Sequence, residues 1–435
     1  MPNPFVLPFD NPTSLLALLF AAALVISLLV RFWLTTRQMR HVASHSDSVP
    51  AAFANTVTLE AHRKAARYTL TKGNFSLWTM AFGATVLIGW TLLGGLGLLN
   101  TTLRDAVQPA FGGMAYQLTL LTAFVLIGLL LDLPFELYTT FRIEQAFGFN
   151  RMTWKLYLID AGKGLLIGAL IGLPLAAAML WIMGSTGRLW WLWAWSAWMA
   201  FNLLALVLYP TLIAPLFNTF KPLADPSLEA RVQALMAKCG FFAKGFFVMD
   251  GSRRSAHANA YFTGFGAAKR VVFFDTLLDK LSPSEVEAVL AHELGHFKHK
   301  HVLKRIVSMF AISLVGFAAL GWLSSRIWFY AAFGVQPSMS APNDAAALLL
   351  FMLIVPVFGF FVSPLLAGLS RRHEFQADAY ACSKSNGNDL ALALLKLYGD
   401  NASTLTPDPL YARFYYSHPP ASERLAAMRT LALKT

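Results

Sequence analysis

His292-Glu293-Leu294-Gly295-His296 decides how the rest of this chain is read. On a helix, residues four apart lie on one face, so His292 and His296 can hold a single ion between them. Glu293 stands beside the first imidazole, where its carboxylate can serve a water as general base. Two imidazoles and a carboxylate at this spacing form the zincin arrangement and call for Zn2+. The motif alone is only moderately specific, so its setting matters. Upstream, the run from Ser282 through Ala291 reads as a capped helix start, with Pro283 in the first turn and Glu285 and Glu287 near the positive end.

The setting is a membrane. Of 435 residues, 56% are hydrophobic and only 13% are charged, about half the usual charged share. Several runs approach or exceed the ~20 apolar residues that cross a bilayer. The pattern predicts seven spans, at about 14–34, 76–99, 117–138, 156–183, 190–213, 303–325 and 345–369. Lys and Arg alternate around them. None precedes the first span, while the next loop carries Arg31, Arg37, Arg40, Arg63, Lys64, Arg67 and Lys72. The second, fourth and sixth loops hold only Arg104, Arg188 and Arg326, respectively. The third loop, the long fifth loop and the C-terminal tail are basic. The positive-inside rule then puts the N-terminus outside and both motif-bearing segments in the cytoplasm. The compartment is a bacterial inner membrane or an endoplasmic-reticulum-type membrane.

The net charge of +12 is therefore mostly a topology signal, and no nucleic-acid partner is expected. The first span is not a typical cleaved signal peptide, because its basic residues follow the apolar run. Trp190, Trp191, Trp193, Trp195 and Trp198 cluster at the start of the fifth span, as an interfacial aromatic belt does. Cys239 and Cys382 make neither a disulfide framework nor a metal motif and read as reduced structural thiols.

Four blocks follow: spans 1–5 over 1–217, a protease segment over 218–302, two spans over 303–369, and a C-terminal segment over 370–435. In the protease segment, Pro226 to Cys239 reads as an amphipathic helix ended by Gly240. Phe246–Met249, Asn259–Thr263 and Val271–Phe274 read as strands of a small sheet beside the motif helix. An edge strand there can hold an extended peptide by main-chain pairing.

Two histidines leave a zinc ion short of ligands. Glu374 is the best candidate for the third, since it lies immediately inside the seventh span, on the same predicted side of the membrane as His292. Asp378, one helical turn on, is placed to accept from a ligand imidazole. His299, His301 and His373 read as juxtamembrane surface groups. Asp132, Glu136, Asp160 and Lys163 lie in or at the edge of spans, where ionisable groups normally face water or a bundle interior. Asp160 and Lys163, three apart, are placed to pair.

These residues resemble the integral-membrane CAAX prenyl proteases of type I, seven-span zinc metallopeptidases. The resemblance covers most of the chain. It rests on His292 to His296, on Glu374 with Asp378, and on Arg254-Ser255-Ala256-His257-Ala258-Asn259-Ala260-Tyr261-Phe262-Thr263-Gly264. Phe147-Gly148-Phe149-Asn150, Ile213-Ala214-Pro215-Leu216-Phe217-Asn218, and Ser417-His418-Pro419-Pro420 with Glu423-Arg424 add to it. It implies a predominantly α-helical polytopic membrane protein: a seven-helix barrel around a water-filled chamber, closed by a cytoplasmic α+β zincin-like domain. It also implies one Zn2+ per chain, Asn259 positioning the substrate backbone, and His418 donating to the oxyanion with support from Arg424. No role is assigned to His257.

The expected reaction is metal-assisted hydrolysis of a peptide or protein substrate, CAAX-type and prenylated or otherwise membrane-associated. Two other readings stand beside it: a membrane quality-control metalloprotease, and a non-catalytic scaffold with a zinc-stabilised domain. Fewer spans are expected of the former, and the latter has no use for Glu293 as a base.

Overall fold

The computed structural model describes residues 11–242, 245–263 and 270–432. Five helical stretches are long and apolar enough to cross a bilayer: Pro12–Ser44, Gly95–Glu144, Trp154–Ser185, Gly187–Phe217 and His301–Leu323. Only 6 to 17% of their most apolar windows is buried within the protein. Most of their apolar side chains are therefore uncovered by the protein itself, an arrangement that suits lipid better than water. A membrane-level core of Phe20, Leu24, Leu96, Tyr116, Leu120, Phe333 and Leu350 ties them together.

The remaining two expected spans differ from expectation. The run at 345–369 is a bent pair, Asp344–Gly359 and Ser363–Lys384, turned by 66°. Pro356 lies inside the first helix and Pro364 opens the second, so the ladder loses donors where the chain bends. The run at 76–99 is split. The Leu59–Trp90 helix stops short, Gly94 takes a left-handed φ of 75°, and the remaining residues start the next helix at Gly95. Counted by length and hydropathy, the described residues give five spans, or six with the bent pair.

The charges at the span edges also depart from expectation. Asp160 does not pair with Lys163. It receives Arg254 Nε at 2.8 Å and Nη2 at 3.1 Å, while Lys163 donates to the Leu216 carbonyl at 2.7 Å. A guanidinium that meets a carboxylate with two parallel bonds outcompetes a local i,i+3 ammonium. The Leu216 carbonyl is one of those a helix end leaves without an internal partner. Trp195 turns inward, its indole reaching Phe310 O and Ser313 Oγ, so the tryptophan cluster is only partly a lipid belt.

Outside the membrane helices lies a four-stranded sheet, β1 (Phe220–Pro222), β2 (Gly245–Met249), β3 (Ala260–Thr263) and β4 (Arg270–Phe274), in the order β1-β2-β4-β3. β2 runs parallel to β4, and the other two pairings are antiparallel. β3 is an edge. The motif segment's last residue, Gly264, lies outside the described residues. The Pro226–Cys239 helix ends at left-handed Gly240, as read from sequence, and Asp225 caps its start. It packs with the sheet and the motif helix around Leu228, Val232, Phe246, Val271, Phe273, Val286, Leu290 and Leu294.

Candidate active site

The motif helix runs Pro283–Lys298 and starts on a complete capping box: Ser282 accepts from Glu285 N, and the Glu285 side chain accepts from Ser282 N. Such caps are worth ~1 kcal/mol and fix the start of the helix. Lys396 adds an ion pair to Glu285 at 2.7 Å. The helix crosses Ser363–Lys384 at Gly295. A Cβ there would stand 2.9 Å from Ala377 Cα and 3.0 Å from Ala377 O, closer than side chains tolerate. Glycine is thus required for the approach that brings His292 and His296 to Glu374. Gly295→Leu is expected to force the helices apart, costing roughly 1–3 kcal/mol and lowering the metal content of the purified chain. Full metal content together with an unchanged melting temperature would show that the crossing can shift freely.

At the crossing, one donor atom from each of His292, His296 and Glu374 lies within 4.8 Å of the others. His292 Nε2 is 3.5 Å from Glu374 Oε2, and His296 Nε2 is 3.4 Å from Glu374 Oε1. The tautomers follow from the groups behind. His292 Nδ1 faces Asp378 Oδ1 at 2.8 Å, an acceptor, so Nδ1 carries a proton and Nε2 is the nitrogen turned toward Glu374, where an ion can replace its proton. His301 Nε2 meets Gln376 Oε1 at 2.8 Å, and His301 Nδ1 lies 3.0 Å from His296 Nδ1. With the Gln376 oxygen accepting, His301 Nδ1 accepts in turn from His296, and the His296 Nε2 lone pair is turned inward.

His301 is therefore not a surface group. It is 4% exposed, and its ring stacks on His373 at 4.0 Å. Lys300 adopts a left-handed φ of 57° between the two helices, which folds His301 back behind His296. Sequence reasoning missed both this relay and Gly295. A lone glycine within a helical pattern was the signal for the latter; the former depended on a turn that a lysine does not announce.

Arg424 comes in from the Ala421–Ala432 helix. Its Nε is 2.8 Å from Asp378 Oδ2, and its Nη1 is 3.7 Å from Glu374 Oε2. Both Asp378 and Arg424 are almost fully buried. Arg424 thus sits behind the ligand cluster and approaches His418 only through their common neighbour Glu374, which His418 Nε2 meets at 3.5 Å. His418 itself is 62% exposed.

The electrostatics favour a cation. Burial opposes the charge on Glu374, but His292, His418 and Arg424 outweigh it and hold the carboxyl below its ordinary range. Asp378 is likewise held low, burial being outweighed by Arg424 and His292. Burial also works against a charged His292, yet Asp378 and Glu374 push it up to about 9, whereas burial and its neighbour bring His296 down to about 4. Burial raises Glu293, whose carboxylate takes no hydrogen bond among the described residues. Glu293, Glu374 and Asp378 set three carboxylates against the Arg424 guanidinium and a protonated His292, and a divalent cation can take the place of the His292 Nε2 proton. Glu374 Oε2 is buried and takes no hydrogen bond, as a ligand oxygen awaiting an ion does. The residues fit a metal with nitrogen and oxygen ligands.

Asn259 is exposed and immediately precedes β3; its carbonyl accepts from Phe274 N at 3.0 Å. His257 contacts Asn401 Oδ1 at 3.0 Å and stacks on Phe149 at 4.5 Å. Cys239 and Cys382 are free thiols.

Residues 38–219 match the family described as "CAAX prenyl protease N-terminal, five membrane helices", and residues 222–432 match "Peptidase family M48". The chain belongs to the M48 peptidase family. Among its M48 relatives, the human "CAAX prenyl protease 1 homolog" is 32% identical over 95% of this chain and 96% of its own. The Saccharomyces cerevisiae "CAAX prenyl protease 1" is 31% identical over 96% of both. The crystal structure of S. mikatae Ste24p superposes with a TM-score of 0.87 at 29% identity, covering 95% of this chain and 98% of that one. This M48 member is thus a metalloendopeptidase built as a multi-pass integral membrane protein. The predominantly α-helical membrane fold with a small sheet expected from sequence stands, though the described residues give five or six spans and not seven.

Proposed function

We propose that this chain is a zinc endopeptidase that cleaves CAAX-type substrates near their C-terminus, with prenylated chains as the substrate class. The observation that carries this reading is the meeting of His292, His296 and Glu374 across two helices, beside a base with no other partner. The names of the relatives give the substrate class. His292, His296 and Glu374 would hold the ion, with Asp378 and Arg424 fixing the ligands from behind. Bound Zn2+ would supply Lewis acidity, bringing a water pKa toward ~7 and polarising the scissile carbonyl.

The chain's own groups do the rest. Glu293 takes the water proton and hands it to the leaving amine as the C–N bond breaks. His418, with Nδ1 3.0 Å from the Ser417 hydroxyl, can accept there and keep a proton on Nε2 to donate to the oxyanion. Such a donor is typically worth ~3 kcal/mol. Asn259 and the free edge of β3 hold the substrate backbone antiparallel, by strand addition. The division at 1–217, 218–302, 303–369 and 370–435 fits this assignment of labour, membrane helices alternating with the two segments that build the site. Mass-spectrometric mapping of cuts in farnesylated and unmodified peptides tests the reading. Cleavage three residues from the end, blocked by 1,10-phenanthroline and restored by zinc, is expected; cutting only at internal membrane-peptide sites would point to quality control instead.

The basic loops further favour an external N-terminus with both ligand-bearing segments in the cytoplasm. Single cysteines near positions 45, 105, 240, 335 and 430, in a background lacking Cys239 and Cys382, should label from outside only near 105 and 335. Opposite sides for 240 and 430 would separate Glu374 from His292 and break the site.

A further inference from the structure

A cavity of about 900 Å3 opens beside the site, lined among others by Lys72, His257, Tyr398, Asn401, His418 and Arg424. His418 and Arg424 join it directly to Glu374. Among the described residues no Asp or Glu lines it, although carboxylates crowd the metal cluster next door. Arg424 is committed to Asp378 and Glu374, so among the described lining residues the cation left to meet a ligand is Lys72, which pairs only loosely with Glu144 and lies 4.9 Å from the Tyr68 ring centroid. The Lys72 side chain is 51% exposed, whereas the nearest carboxylate, Glu144, is 19% exposed and lies 3.7 Å behind it.

The position of this cation is set by a chain of contacts. Lys72 Nζ donates to Tyr68 OH at 3.2 Å, Tyr68 OH donates to Glu144 Oε1 at 2.6 Å, and His257 Nε2 is 3.6 Å from Glu144 Oε2. His257 precedes the first residue of β3 by three positions. A substrate lying antiparallel on β3 runs from the Thr263 end toward Ala260, so its C-terminal residues continue past Asn259 toward His257. At ~3.3 Å per residue, three residues cover about 10 Å in that direction. The end of such a chain enters the cavity.

We propose that this cavity is a recognition site for the free C-terminal carboxylate of the peptide substrate, with Lys72 as its cationic partner. The inference rests on the antiparallel, near-C-terminal cleavage proposed above and adds what distinguishes a chain end from an internal peptide. Glu144 and Tyr68 orient the ammonium from behind, and the hydroxyl-rich wall leaves it facing the cavity. An ammonium–carboxylate contact of this kind, partly withdrawn from water, is worth on the order of tenfold in affinity.

The test uses the full-length protein in phosphatidylcholine vesicles and one farnesylated peptide in two forms, ending in a carboxylate or in a carboxamide. For the wild type, kcat/KM for the acid should exceed that for the amide by about tenfold. In Lys72→Met the ratio should fall toward one, and Lys72→Arg should recover part of it. Binding of both peptides to the Glu293→Gln chain gives a second readout that needs no cleavage, with and without Lys72→Met. A wild-type acid preference that survives Lys72→Met, or no preference at all, overturns the carboxylate site while leaving the protease reading intact. A chain that cleaves neither form yet binds the acid through Lys72 supports the carboxylate site and overturns the cleavage reading.

Discussion

Glu293→Gln is expected to lower peptide cleavage by roughly 10^2–10^4-fold while leaving metal content unchanged. The amide keeps the shape and polarity of the carboxylate but cannot accept the water proton. His292, His296 and Glu374, whose donor atoms meet without Glu293, still offer the same ligand set. Burial raises the Glu293 pKa above the ordinary carboxylate value, which makes it a better proton acceptor than an exposed glutamate. Cleavage measured alongside metal analysis gives the answer. Activity above a few per cent of wild type would move the base to another residue, and absence of cleavage by wild type and variant alike, with metal bound in both, would favour the scaffold reading.

Arg424→Met is expected to give the largest loss of stability, about 3–5 kcal/mol, because it leaves buried carboxylates without their cation. Asp378 is 1% and Glu374 4% exposed, so water cannot replace the guanidinium. Denaturant unfolding of the chelated full chain at pH 7 reads this out. The pH dependence has a definite sign. In the wild type, Asp378 is held below its unfolded value of 3.8 by Arg424 and His292 despite burial. Its contribution is therefore present above that value and fades as pH falls through the lower folded value. In the variant, Asp378 and Glu374 resist ionising, so the deficit should shrink on acidification. A deficit independent of pH would mean that lost packing, not lost charge, is responsible.

What could be read in the sequence was what depends on local pattern. The helix carrying His292 and His296, its start at Ser282–Pro283, the Gly240 helix end and three of the four strands all follow from residues close together in the chain. Glu374 with Asp378 was legible because a carboxylate one turn from another, just past a span, is unusual. The less legible features depend on residues far apart. Arg424 shows its role only when the Ala421–Ala432 helix docks on Ser363–Lys384, and the Asp160–Arg254 pair joins positions 94 residues apart. Span ends were misjudged at Gly94 and Pro356, where one backbone torsion or one missing donor redirects an apolar run that hydropathy alone reads as continuous. Strand β1 is three residues long, too short for any alternation to show.

Zinc K-edge X-ray absorption on the purified full chain, with metal stoichiometry, tests the central claim most directly. One zinc per chain is expected, in a shell of nitrogen and oxygen at ~2.0–2.1 Å without sulfur at ~2.3 Å, and Glu374→Ala should lose most of it. A sulfur shell, or a Glu374→Ala chain that keeps its full zinc, would contradict the assignment of His292, His296 and Glu374 as the ligands.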